Sequence, residues 1–117
     1  MKMNRKLNVK LITKGRRSGE PRRVTLYAFE DGDRLVIVGS MGGAATDPQW
    51  VGNLRAEPRA TVRNGLDVRE VRAQEVDGPD RDRLWALVSM GFPLYTSYQR
   101  RTERLIPLFV LETVKGA

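Results

Sequence analysis

Two short glycine turns constrain this chain more than any other feature. Asp31-Gly32 and Asn64-Gly65 each stand between segments rich in strand-forming residues. An Asx-Gly pair in that setting is the strongest local signal for a tight antiparallel hairpin, because glycine reaches positive φ without a steric cost. The first turn, within Glu30 to Asp33, joins a strand over residues 22–29 to Leu35–Val38, a continuous apolar run of the kind a strand buried on both faces shows. The second joins residues 60–63 to a long strand over residues 66–76. A short alternating strand at Val9 to Thr13 and a last one from Ile106 to Glu112 bring the count to six.

Three helical segments interrupt the strands. Asp47 stands where a helix cap would, Pro48 takes the first helical position, and Pro58 stops the helix that carries Trp50, Leu54 and Ala56. The second opens at Pro79, with Asp80 and Asp82 in the turn where the helix dipole favours acids and Leu84, Leu87 and Val88 at helical spacing. The third is short, over residues 95–104, and ends before Pro107. Hairpins without regular strand-helix alternation imply an α+β fold with a mainly antiparallel sheet. A six-stranded closed or split β-barrel with two to three short helices is the arrangement that leaves no bare sheet edge.

A chain of 117 residues has room for one domain and not for two independent cores, so residues 1–117 are read as one unit with residues 1–8 as a short basic arm. The chain has no cysteine and no histidine. Disulfide frameworks, thiolate metal sites, a histidine base and every histidine-dependent triad are thereby excluded, and no metal centre is expected. An enzyme of this composition works with carboxylates, hydroxyls and arginines, or borrows its chemistry from a bound cofactor.

The formal charge of +7 is concentrated. Residues 1–23 hold nine basic side chains, Lys2, Arg5, Lys6, Lys10, Lys14, Arg16, Arg17, Arg22 and Arg23, against Glu20 alone, whereas the rest of the chain holds twelve basic and thirteen acidic ones. An anion is expected at that end, and nucleic acid, anionic lipid or a phosphorylated cofactor all qualify. No apolar run approaches the roughly 20 residues of a membrane span, and the N-terminus lacks the apolar stretch of a signal peptide. The expected location is the cytoplasm, with peripheral attachment to the inner membrane face through Lys2, Arg5, Lys6 and Lys10 as an added possibility.

Four segments carry residues suited to chemistry. Gly15-Arg16-Arg17-Ser18-Gly19 with Arg22 offers backbone amides and guanidinium forks to an anion, or is a solvated basic turn. Gly39-Ser40-Met41-Gly42-Gly43 follows a buried strand and presents a hydroxyl and bare backbone to a flat ring or phosphate, or is a plain loop. In the segment from Pro48 to Pro58, Trp50 and Leu54 face a core while Asn53 needs partners if buried. Phe92, Tyr95 and Tyr98 recur every third residue, as core packing or as the wall of an aromatic pocket.

Taken in series, GRRSGEPR, VGSMGG, DPQWVGNLRAEPRATV and FPLYTSYQRRTERLIPLFVLE resemble the actinobacterial deazaflavin-dependent nitroreductase family, over most of the chain from Leu11 to Glu112. Members of that family are split β-barrels of the flavin-reductase and pyridoxamine-phosphate-oxidase type that use coenzyme F-420, an 8-hydroxy-5-deazaflavin with a phospholactyl-oligoglutamate tail. The resemblance implies tail contacts at Arg16, Arg17, Ser18 and Arg22. It implies ring contacts at Val38, Gly39, Ser40 and Met41, and a second contacting stretch at Gln49, Trp50, Val51, Gly52 and Asn53. Ser40, Tyr95 and Tyr98 are the implied catalytic residues, with Tyr95 the better placed to steer the acceptor or give a proton. Met41 stands where relatives often have lysine, and Phe92 where they often have tyrosine. The implied activity is hydride transfer from reduced F-420 to a quinone, nitroaromatic or activated enone. An FMN-binding split-barrel reductase and a basic nucleic-acid-binding barrel are the alternatives.

Overall fold

The computed structural model describes residues 5–114. Six strands, β1 (Lys6–Lys14), β2 (Pro21–Asp31), β3 (Arg34–Val38), β4 (Arg59–Asn64), β5 (Asp67–Glu75) and β6 (Leu108–Thr113), close into a barrel in the order β1-β2-β3-β6-β5-β4. Every pairing is antiparallel, and the closing seam, Lys10–Ile12 against Thr61–Arg63, is three residues long. Strand β1 begins at Lys6, so Lys6, Leu7 and Asn8 belong to the barrel and not to an arm, and Lys2 lies outside the described residues.

Both expected hairpins are present, each centred one residue beyond its Asx-Gly pair. Asp31 pairs with Arg34 and Asn64 with Asp67, so the central residues are Gly32-Asp33 and Gly65-Leu66. Only the glycines take positive φ, 63° and 61°, which is the pattern of a type II′ turn with glycine first. Asn64 therefore closes the ladder, and Leu66, expected to start a strand, is a fully exposed turn residue.

The strands β3 and β6 are buried on both faces. Leu35, Ile37, Phe109 and Leu111 point into the barrel, where they meet Leu11, Val62 and Val71. Val36, Val38, Leu108 and Val110 point outward, under α2 (Gly78–Gly91) and α3 (Leu94–Arg100) with Phe29, Leu84, Val88 and Tyr95. The single core thus becomes two layers back to back on shared strands. Each fully buried Leu, Val or Phe side chain stabilises by about 1.5–3 kcal/mol relative to exposure.

Helix α1 (Gln49–Ala56) inserts Trp50, Val51 and Leu54 into the barrel interior. It is preceded by Pro48 at the cap position, not by Asp47 as expected. The Asp47 carboxylate is already engaged, receiving Arg104 Nη1 at 2.8 Å and Arg55 Nη1 at 3.2 Å. Helix α3 stops at Arg100, short of the expected Arg104. Gln99 ends it by bonding forward, its Nε2 donating to Arg104 O at 2.8 Å and its Oε1 accepting from Ile106 N at 2.9 Å.

Candidate functional site

The turn between β1 and β2 is held by main-chain bonds from Gly15 N to Glu20 O and from Gly19 N to Gly15 O, both 2.8 Å. A Cβ at Gly15 would stand 3.1 Å from Glu20 O and 2.8 Å from Ser18 Oγ, so a larger residue there would push on the turn's main chain and displace the serine. Its arginines do different things. Arg16 lies along α1, donating from Nη1 to Asn53 Oδ1 (2.9 Å) and Gln49 O (3.2 Å) and from Nη2 to Gln49 Oε1 (2.9 Å). The guanidinium also passes so close to Gly52 that a Cβ there would stand 2.9 Å from Arg16 Cζ. Arg22 reaches Ser18 Oγ at 3.1 Å. Arg17 is exposed and makes no hydrogen bond or ion pair among the described residues.

Asn53 is the buried polar residue on which this corner rests. Only 3% exposed, it accepts from Arg16 N (3.2 Å) as well as from Nη1, and its Nδ2 donates to Thr13 Oγ1 at 3.1 Å. The partners its burial requires are thus supplied by β1 and the turn after it. These elements border a groove of 410 Å³ lined by Arg16, Arg17, Ser18, Arg22, Arg23, Gln49, Trp50 and Asn53.

The glycine loop after β3 is clamped by one side chain that sequence reasoning did not single out. Arg104 donates to Gly39 O (3.0 Å), Ser40 O (2.8 Å), Ala44 O (2.8 Å) and the Asp47 carboxylate (2.8 Å). Its four partners lie 57–65 residues upstream, a separation that no local pattern reveals. Within the clamp the chain makes a 3₁₀ turn, Met41–Gly43, with Met41 in the left-handed region at φ 45°. A Cβ at Gly43 would stand 2.6 Å from Tyr98 O, so the loop packs on the α3 backbone only with glycine there.

Next to this loop is a second cavity, of 510 Å³, lined by Val38, Ser40, Met41 and Gly42, by Phe92, Tyr95 and Tyr98, and by Val24 to Tyr27 of β2. Phe92 and Tyr95 pack edge-on at 4.8 Å between ring centroids, and Tyr27 adds a ring 5.5 Å from Phe92. Sequence reasoning missed the β2 contribution. The signal was the strand's period of two, which sends Thr25 and Tyr27 to the face opposite buried Ala28. Tyr95 is 5% exposed, and burial, reinforced by Tyr27 and Tyr98, holds its phenol above the ordinary value of 10.0. Its hydroxyl, which makes no hydrogen bond to another described residue, is therefore protonated and open to a ligand.

The two cavities share Val24, Pro48 and Trp50, and so form one cleft with a basic end and an aromatic end. Of the expected contact residues, Arg16, Arg17, Ser18, Arg22, Gln49, Trp50, Asn53, Val38, Ser40, Met41, Tyr95 and Tyr98 line it. Three do not. Val51 is wholly buried inside the barrel, Gly39 is packed against Pro107 and Val51, and Gly52 faces Arg16. Tyr27, Phe92, Tyr95 and Tyr98 gather in one pocket, with Lys6 over the Tyr27 and Phe92 rings. Among the described residues there is no cluster able to hold a metal ion, and no helix is long and apolar enough to cross a membrane.

A reductase of Mycobacterium tuberculosis strain H37Rv named for F420H2-dependent quinone reduction is 39% identical over 104 residues, 86% of this chain and 70% of that protein. A solved structure described as an F420-H2 dependent reductase superposes with a TM-score of 0.83 at 36% identity, over 90% of this chain and 93% of that one. A FAD-binding protein of Mesorhizobium loti, 17% identical, shares the fold with a TM-score of 0.62 over 97% and 93% of the two chains. The profile of the F420H2-dependent quinone reductases matches residues 2–113. With the six-stranded barrel and its two-ended cleft, these matches make the chain a member of the F420H2-dependent quinone reductase family of oxidoreductases.

Proposed function

We propose that this chain acts as a single cofactor-binding unit that delivers hydride from reduced F-420 to a quinone, nitroaromatic or activated enone, with the tail in the basic groove and the acceptor in the aromatic pocket. One observation carries the reading. The two cavities meet at Val24, Pro48 and Trp50, so a ligand with a polyanionic end and a flat end fits them together. Reduced F-420 supplies the hydride when bound, which suits a chain without cysteine or histidine. Arg17 and Arg22 are the free and half-free cations for the tail, while Arg16 sets the wall against α1. Ser40 and Met41 border the flat end, and the protonated Tyr95 hydroxyl, with Tyr98 beside it, donates a hydrogen bond to the oxygen on which charge develops.

The test is a fluorescence titration with F-420. Binding at micromolar concentration is expected, and Arg17→Ala with Arg22→Ala should weaken it by about tenfold or more, the size of one or two charge-assisted contacts. No perturbation of F-420 by the wild-type protein would sink the reading, and an unchanged double variant would move the tail elsewhere.

The proposed location is cytoplasmic and peripheral to the inner membrane face. Its support is narrower than the charge count suggested. Arg5 is tied to Glu30 at 2.9 Å and Lys6 rests on rings, leaving Lys10 as the cation of the set without a partner among the described residues. Sedimentation with anionic vesicles checks it, and no pelleting at low salt would reject it.

A further inference from the structure

The outer face of the sheet continues the aromatic pocket into a smaller concavity of 240 Å³, lined by Asn8, Val9, Lys10, Thr25, Arg63 and Gly65. Asn8 and Thr25 line both, so the two are contiguous. Thr25, Lys10 and Arg63 are direct cross-strand partners on β2, β1 and β4, and strand pleating turns their side chains to one face. Two like charges opposite each other on a ladder oppose its formation. Arg5, Arg34, Arg55, Arg69 and Arg83 each hold a carboxylate. Lys10 and Arg63 hold none among the described residues, and no acidic residue lines either concavity. Lys6 adds a third cation to the rim, its Nζ 4.6 Å from the centre of the Tyr27 ring.

We propose that Lys10 and Arg63, with the Thr25 hydroxyl and the Asn8 amide, form an acceptor subsite for an acidic substituent, a carboxylate, sulfonate or phosphate carried by an aromatic compound whose ring lies against Tyr27 and Phe92. The inference rests on the acceptor end of the cleft assigned above. It adds a selection rule to that end, because a neutral ring gains only the stacking contacts whereas an acidic one also gains two cations.

The experiment uses the cofactor-free protein and two probes, 2-naphthalenesulfonate and 2-naphthol, followed by intrinsic fluorescence. The sulfonate should bind about fivefold tighter at low salt, as one well-placed exposed charge contact gives, and the advantage should shrink as salt rises. Lys10→Gln with Arg63→Gln should erase that advantage and leave naphthol binding unchanged, while Lys10→Arg should retain it. Equal affinities in the wild type, or an advantage that survives the double variant, would overturn the proposal. A lipid phosphate offers the same chemistry, so the double variant is also sedimented with anionic vesicles. Loss of vesicle binding with probe selectivity intact would assign the cations to lipid and overturn the subsite. In the F-420-loaded enzyme, the kcat/KM ratio of a naphthoquinone sulfonate to its neutral parent should fall in the same variant through KM. Failure to bind F-420 would defeat the reading above and leave the probe titration to judge this one.

Discussion

The two ends of the cleft are held by different forces. At the basic end, geometry comes from directional bonds that converge on Asn53, with Arg16, Gln49 and Thr13 each fixed through it or beside it. At the aromatic end, geometry comes from volume. Phe92, Tyr95, Tyr98 and Tyr27 hold one another at centroid distances of 4.8–6.3 Å, and the Tyr95 hydroxyl makes no hydrogen bond to another described residue. A hydrogen-bonded wall fails when one partner is removed, because a buried polar group is orphaned, whereas a packed wall accepts exchange at constant shape. The basic end is thus rigid toward substitution, and the aromatic end has polar groups to spare for a ligand.

Asn53→Leu should break this contrast open with the largest effect. It strands the buried Thr13 hydroxyl and the Arg16 amide, and should cost about 3 kcal/mol, read as a lower urea midpoint at constant m. A loss below about 1 kcal/mol would show that the bonds do not hold the wall. Tyr95→Phe is the counterpart at the packed end. Stability should move by less than about 0.5 kcal/mol and F-420 affinity by less than about twofold, while kcat falls about tenfold. A change chiefly in affinity would place the residue on the cofactor side. Because the phenol is held above its ordinary value, the wild-type rate should show no loss from this group up to about pH 10. An alkaline fall below pH 10 that vanishes in Tyr95→Phe would contradict that.

Asp31, at the β2–β3 turn and lining neither cavity, serves as a control. A hydrogen bond from Arg83 first, and from Arg34 next, holds its carboxyl below the ordinary value against some desolvation. A depressed folded value stabilises above the unfolded one and is lost as pH falls through the folded one. Asp31→Asn should therefore cost about 1 kcal/mol at pH 7, after discounting for the exposure of both arginines, and the gap to wild type should close below pH 4. A gap that persists at pH 2 would mean that packing and not charge is responsible. The smallest effect expected is that of Arg17→Ala on stability, under about 0.5 kcal/mol, against roughly 1 kcal/mol for Arg16→Ala. Similar losses in the two variants would erase the distinction between a wall arginine and a free one.

The strands and the Asp31-Gly32 hairpin were legible because they rest on periods and turn residues that act within a few positions. So was the doubly buried Leu35–Val38, a continuous apolar run. The one-residue shift of both turn centres was not, since each glycine can be the second or the first central residue until the pairings of Asp31 with Arg34 and Asn64 with Asp67 are known. Asp47 read as a cap because its competitor for the carboxylate, Arg104, lies 57 residues away. The cleft residues supplied by loops carried motif-like signatures, whereas Tyr27 and Thr25 looked like ordinary strand. They became part of the cleft only when α3 folded over β2 and left their face uncovered on one side. Val51 has the opposite history, lying within a suggestive segment yet aimed inward by the helical period.

The Arg104 clamp reads main-chain oxygens at three of its four contacts, and every amino acid owns a main-chain oxygen. The loop beside the cleft can therefore keep its course while the side chain at position 41, 59% exposed, is exchanged. Frame and side-chain identity are separable there: one distant arginine holds the main chain, and exchange at position 41 is limited chiefly by its left-handed backbone, φ 45°, which disfavours β-branched residues.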